Sequence, residues 1–162
     1  MRALEIRGLS DVVIERELRY LEELLRWNKK INLTAVSGHL PALEKHLLDS
    51  LMLLRFIGRA RQLTDLGSGA GLPGIPLAIA RADLQVVSVE SVGKKVHFQK
   101  HVKRLLALEN LQIKECRIEN VLPQKTRTNT DEIVVARALA PLEQLISMAA
   151  PLVAPEGRLI AM

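Results

Sequence analysis

The stretch Leu63–Ala80, LTDLGSGAGLPGIPLAIA, sets the reading of the fold. Gly67, Gly69, Gly71 and Gly74 fall inside it, and two spacing patterns run through them. Gly69, Gly71 and Gly74 fit G-x-G-x-x-G, which between a strand and a helix holds a dinucleotide pyrophosphate. Asp65, Gly67, Gly69 and Gly71 fit acid-x-G-x-G-x-G, the form of loops that hold S-adenosylmethionine. The flanks supply the strand and the helix: QLTDLG reads as a strand and Pro73–Ala82 as a helix.

Downstream the alternation continues. LQVVSVE is an apolar, β-branched run suited to a buried parallel strand, and GKKVHFQKHVKRLLALE is a helix. LQIKEC and EIVVA are strands, PLEQLISMAAPLV is a helix opened by Pro141, and GRLIAM is a last strand. Such βαβ repetition predicts a mostly parallel, doubly wound sheet with right-handed crossovers. PQKTRTNTDE, from Pro123, is a polar surface loop.

Upstream the texture is helical. Ile14, Leu18, Leu21 and Leu25 recur at helical spacing after Ser10, and Asn28–Thr34 breaks that pattern. A second helical segment starts at Pro41 and runs through Leu43, Leu47, Leu51 and Leu54 to about Ile57. Residues 1–60 therefore form a helical N-terminal extension, and residues 61–162 an α/β domain.

Physical chemistry separates the two loop readings. A pyrophosphate needs backbone N–H groups at a helix N-terminus. Pro73 and Pro76 remove two of those donors, and the Asp65 carboxylate would repel the anion. A sulfonium or an α-amino group would be accepted there. Glu90 closes the next strand, where its carboxylate can receive the hydroxyls of a ribose. The loop thus favours S-adenosylmethionine over a dinucleotide; a structural glycine turn with no ligand is the plain alternative.

Composition bounds the rest. The chain has 162 residues and a net charge of +5, which favours an anionic partner such as nucleic acid. Tyr20, Trp27, Phe56 and Phe98 are its whole aromatic set, too few for a base-stacking platform. Cys116 is a lone cysteine, so neither a disulfide nor a zinc constellation is expected, and with the charged N-terminal stretch this points to a reducing cytoplasm. Cys116 itself reads as a small buried apolar group. Lys94, His97, His101 and Arg104 share one helix face, a phosphate-binding stripe or a solvated face. Lys29 and Lys30 extend the basic surface toward RNA.

WNKKINLTAV, HLLDSLMLL, DLGSGAGLPGIPLAI, GKKVHFQKHV, RIENV and ARALAPL occur here in order. In these six motifs, from about Tyr20 onward, the chain resembles the RsmG/GidB family, bacterial methyltransferases that modify guanine N7 in small-subunit ribosomal RNA. The resemblance implies a Rossmann-like class I methyltransferase fold with S-adenosylmethionine as cofactor. It places Gly67, Leu72, Glu90, Ile118 and Glu119 in the cofactor pocket and gives Arg137 a catalytic and cofactor-binding position. Guanine N7 carries a lone pair and no proton, so attack on a methyl group needs no general base. Catalysis then rests on positioning and water exclusion. His46 and Asp49, in the motif HxxDS, read as structural hydrogen-bonding residues.

Two departures matter. The family has an aromatic residue and Asp where Asp131 and Glu132 stand here. GRLIAM ends inside a fifth strand, and the helix and hairpin that complete a seven-stranded methyltransferase sheet are not in this sequence. That predicts a bare sheet edge, self-association through it, and reduced stability. The competing functions are a non-catalytic nucleotide- or RNA-binding fragment and, from the same fold class, a dinucleotide-dependent oxidoreductase.

Overall fold

The fold is that of a computed structural model, which describes residues 8–121 and 131–162. Helix α1 spans Asp11–Ile31. Ser10 opens it, its hydroxyl accepting from the Val13 N–H, and Asn32 closes it in the left-handed region at φ 51°. The helix runs through Asn28, beyond the expected break. Its buried face is Glu17, Tyr20, Leu21, Leu24 and Leu25, rotated from the stripe expected through Ile14 and Leu18, which are only half-buried. Tyr20 and Leu24 decide that rotation, because both are fully buried against the sheet's helical layer.

The second helical segment is not one regular helix. Its parts are α2 (His39–Ala42), a π-turn over Leu43–Leu48, α3 (Asp49–Met52) and α4 (Leu54–Ile57). The π-turn is set by the Asp49 N–H, which reaches back to Glu44 O.

The strands are β1 (Gln62–Leu66), β2 (Gln85–Glu90), β3 (Leu111–Glu115), β4 (Asp131–Ala136) and β5 (Val153–Ala161). Between them lie α5 (Gly74–Ala80), α6 (Gly93–Leu105) and α7 (Leu142–Ala149). The sheet order is β3-β2-β1-β4-β5 with every pairing parallel, as the alternation predicts. α6 ends four residues before the expected Glu109, at a turn where Ala107 is left-handed. β5 begins before GRLIAM, with a register shift against β4 between Asp131 and Ile133. Most of the polar loop read from Pro123 lies outside the described residues.

The strands' period of two sorts the core into two layers. Leu63, Val86, Ile133 and Val135 face Tyr20, Leu24, Ile75, Leu77, Phe98 and Val102 from α1, α5 and α6. Leu66, Val89, Val134 and Ala136 face Leu145, Ala149 and Leu152. Each fully buried leucine here stabilises the fold by about 1.5–3 kcal/mol. The helical extension therefore shares one core with the sheet. α1 and α6 lock through Trp27, whose ring sits 5.5 Å from Phe98 edge-on and 5.0 Å from His101. At the far edge no residue of β5 is fully buried, and Phe56 stands half-exposed beside it on the helical segment.

Candidate functional site

The site is built where β1 and β2 end. After Leu66 the chain turns through Gly67, Gly69 and Gly71, with φ of 64°, 59° and 87°. These are left-handed conformations that glycine adopts without penalty. At Gly67 a Cβ would meet Leu139 Cδ1 at 2.5 Å, and at Gly71 it would run into Ile75.

Three elements hold this loop. Tyr20 of α1 donates its hydroxyl to Ala70 O at 3.0 Å. Glu90, at the end of β2, accepts the Gly69 N–H at 2.8 Å with Oε2, while its Oε1 accepts the N–H groups of Ser91 and Val92. Gln99 of α6 donates to Gly69 O and to Ser68 Oγ, both at 2.8 Å. Ser88 Oγ lies 2.6 Å from Ser68 Oγ and from Gln99 Oε1. This Ser68–Ser88–Gln99 cluster is buried and internally satisfied, which rigidifies the turn.

The loop's own amides settle the choice posed by the two glycine patterns. The N–H groups of Ser68, Gly71, Leu72 and Ile75 bond to Val89 O, Ser68 O, Ser68 O and Gly71 O. Gly69 and Gly74 donate to Glu90 and Asp65, and Pro73 and Pro76 have no N–H at all. Those donors are spent, so a pyrophosphate finds no cradle in them.

Beside the loop opens a cleft of about 460 Å³, lined by Gly67, Glu90, Lys95, Ile118, Glu119 and Leu139 among others. That volume lies in the range of about 300–1,000 Å³ for small-molecule sites. The wall mixes two carboxylates and two cations, counting Arg117, with the apolar Val89, Ile118, Leu139 and Met148. Such a lining fits S-adenosylmethionine, a zwitterion carrying a ribose and an apolar base. Glu90 already uses three of about four lone-pair directions, leaving roughly one for a ribose hydroxyl without displacing a backbone amide.

Of the residues selected from sequence, Gly67, Glu90, Ile118 and Glu119 stand in the cleft wall. Asp65, Gly69, Gly71, Leu72 and Arg137 are not among its lining residues. Leu72 is buried in the larger core layer. Asp65 is wholly buried beneath the loop, where its Oδ2 accepts from Gly74 at 2.8 Å. Burial pushes its carboxyl up to about 7, against the lowering effects of the Gly74 N–H and the Arg137 charge. In this structure it fixes the start of α5 with Oδ2, while Oδ1 is buried with no hydrogen-bond partner among the described residues.

Arg137 follows β4 directly, and its neighbours Ala138 and Leu139 line the cleft. Its guanidinium Nη1 donates to Lys45 O at 3.1 Å and approaches His46 Nδ1 at 3.3 Å. Lys29, Lys30, Lys94, His97 and Arg104 are exposed. His101 departs from a free basic stripe: its Nε2 lies 2.7 Å from Glu23 Oε2, and its ring packs on Trp27, so it docks α6 onto α1. Cys116 is half-buried in the cleft wall rather than sealed in the core.

Sequence reasoning missed Lys95, Arg117, Leu139 and Met148 in the wall, and Tyr20, Ser88 and Gln99 behind the loop. Leu139 lies in ARALAPL two residues after Arg137, Arg117 opens RIENV, and Lys95 and Gln99 lie in GKKVHFQKHV, so the motifs carried a signal for these four.

The parallel β3-β2-β1-β4-β5 order, the glycine loop at β1 and the carboxylate at the end of β2 define a class I methyltransferase fold. An O-methyltransferase from Bacillus cereus, solved with SAH, superposes with a TM-score of 0.69 at 18% identity, over 99% of this chain and 70% of that one. Residues 14–162 match the family model GidB, rRNA small subunit methyltransferase G. The protein called ribosomal RNA small subunit methyltransferase G in Syntrophotalea carbinolica is 50% identical over 155 residues, 96% of this chain and 71% of that protein. Its namesake in Legionella pneumophila (strain Corby) is 39% identical over 162 residues, 100% of this chain and 74% of that protein. The chain belongs to the rRNA small subunit methyltransferase G family.

Proposed function

We propose that this chain methylates N7 of a guanine in small-subunit ribosomal RNA, with S-adenosylmethionine held in the cleft between Gly67, Glu90, Ile118 and Glu119. The observation that carries the reading is the Glu90 carboxylate, which closes the glycine loop through Gly69 and also faces the cleft. Bound there, S-adenosylmethionine supplies an electrophilic methyl group on a sulfonium. Glu90 is the group for a ribose hydroxyl. Ile118 and Leu139 offer apolar walls for a base, and Glu119 a polar edge. Arg137 orients the incoming guanine or the cofactor from the end of β4. Guanine N7 has no proton to lose, so the chain's residues work by placement and by exclusion of water, not by proton transfer.

Exposed Lys29, Lys30, Lys94 and Arg104 serve as phosphate contacts for the RNA, which fits the net charge of +5. Among the described residues no helix is long and apolar enough to cross a membrane. The setting we propose is the cytoplasm, where small subunits assemble. The half-exposed Phe56 and Met162 beside β5 favour pairing of two copies along that edge, which light scattering would detect as a concentration-dependent mass.

The test is calorimetric titration with S-adenosylmethionine and, in parallel, NADH, followed by transfer of labelled methyl to hypomethylated RNA and to small subunits. Binding of the former alone, with label mapped to guanine N7, is the expected result. Binding without transfer to either substrate would leave a non-catalytic nucleotide-binding module.

A further inference from the structure

We propose that His46 is the positioning residue for Arg137, holding the guanidinium at the end of β4 through its own Nδ1. The inference rests on the reading that Arg137 faces the reacting partners.

Nδ1 lies 3.3 Å from Arg137 Nη1 and 3.1 Å from Lys45 O; arginine keeps all its protons, so Nδ1 holds the guanidinium only in the tautomer that leaves it an acceptor. In that tautomer, the one we assign, the ring proton sits on Nε2 and goes to Thr34 Oγ1 at 2.8 Å; in the other, Nδ1 donates to Lys45 O. Thr34 is fixed in turn: its hydroxyl oxygen accepts the Val36 N–H at 3.1 Å, and its own N–H donates to Asn28 Oδ1 at 2.9 Å. A continuous relay thus runs from Asn28 in the last turn of α1, through Thr34 and His46, to Arg137. Lys45 O, the second acceptor for Arg137, lies in the same π-turn as His46. Such turns recur inside helices at functional sites.

The relay does more than fill space. His46 is 4% exposed, so its ring answers to these contacts and not to water. The charge it holds acts on the site: burial raises the pKa of both Asp65, beneath the glycine loop, and Tyr20, which bonds that loop, and the Arg137 charge opposes each rise. A second cation in the ring would break the contact. The groups acting on His46 are Arg137, Lys45, Asp49 and Thr34. Burial, and then the Arg137 charge, hold its pKa below the ordinary histidine value. Near neutral pH the ring therefore stays neutral and able to accept.

The first experiment is side-chain ¹⁵N NMR of the full chain, which needs no turnover. His46 is expected as the Nε2–H tautomer, with a pKa that rises in Arg137→Ala. An Nδ1–H tautomer, or a pKa indifferent to Arg137→Ala, overturns the inference. The second is a pH profile of methyl transfer for the wild type, His46→Leu, His46→Asn and Thr34→Val. His46→Leu is expected to lower kcat roughly ten- to a hundred-fold, the scale of one hydrogen bond to a charged group, while S-adenosylmethionine affinity stays within about twofold. His46→Asn restores an acceptor that cannot titrate, so it recovers most of kcat and loses the acid limb of the profile. Thr34→Val, which leaves the ring in place, gives a smaller loss of kcat. An acid limb in His46→Asn identical to the wild type's overturns the inference, as does wild-type kcat in His46→Leu. Full activity in Arg137→Ala, with the NMR coupling intact, would instead overturn the role given to Arg137.

Discussion

The Tyr20 hydroxyl on α1 donates to the carbonyl oxygen of Ala70 at 3.0 Å, joining the first helix of the chain to the middle of the glycine loop. Both groups are buried, so water cannot replace either partner. Tyr20→Phe keeps the ring's packing 6.3 Å from Phe98 and leaves Ala70 O bare. The expected cost is about 1–2 kcal/mol, read as a loss of ~2–4 °C in Tm per kcal/mol. Affinity for S-adenosylmethionine should fall severalfold with it. A variant as stable as the parent, with unchanged affinity, would show that the loop is held without α1.

Glu90 tests the other side of the same loop. Its two oxygens accept from Gly69, Ser91 and Val92, all at 2.8 Å. Glu90→Gln preserves shape but must turn an amide N–H toward at least one of those donors. We expect it to weaken cofactor binding at least tenfold, because it disturbs the loop as well as the ribose contact. Calorimetry measures this. A loss below about twofold would mean that the carboxylate is only a scaffold.

What the sequence made legible follows from what leaves a mark in composition. Left-handed backbone at Gly67, Gly69 and Gly71 demands glycine, so the loop announced itself. Buried parallel strands are apolar runs, and the parallel pairing followed from their alternation with helices, whereas the strand order came only with the fold. The supports of the loop left no such mark. Gln99 and Ser88 are ordinary polar residues in a helix and a strand, and only the folded chain shows that both are buried. Asp65 was legible as an acid at a strand end, but its direction was not: it points beneath the loop to Gly74. The π-turn at Leu43–Leu48 has no sequence signature, so the convergence of His46 and Arg137 was hidden. His101 read as part of a basic face because its partner, Glu23, lies on a helix remote in sequence.

Glu17 is a buried cost within α1. It is 0% exposed, and neither carboxylate oxygen has a hydrogen-bond partner among the described residues. Burial pushes its pKa well above the carboxylate range, with only partial relief from Arg16. A raised folded pKa favours the protonated form, so folding stability is lost as pH rises through that value. Glu17→Met, of similar length and without the charge, is expected to stabilise the chain by about 1–3 kcal/mol at neutral pH. The gain should shrink toward acid pH. Denaturant melts at two pH values check it, and destabilisation at neutral pH would show that Glu17 has a partner in solution.

Asp65 permits a pH prediction with a defined window. Its carboxyl lies at about 7 in the folded chain, against 3.8 as its ordinary value, and desolvation is the main cause. Between those values the folded state binds more protons than the unfolded one, so stability falls as pH rises. The contribution is fully present below the unfolded pKa and is lost as pH passes the folded one. Its limit is on the order of 4 kcal/mol, from ~1.4 kcal/mol per pKa unit. Asp65→Asn keeps an oxygen to accept the Gly74 N–H and cannot ionise. The variant should match the parent within ~1 kcal/mol near the acid end of the window and exceed it at about pH 8. The difference between the two stability curves isolates this group from Glu17 and His46, which titrate in both proteins. A variant less stable than the parent at about pH 8 would mean that the ionised carboxylate is paired, most directly with Arg137, whose charge already lowers the Asp65 pKa. In that case the arginine would be held from beneath the loop as well as from His46, and Asp65→Asn should also lower kcat.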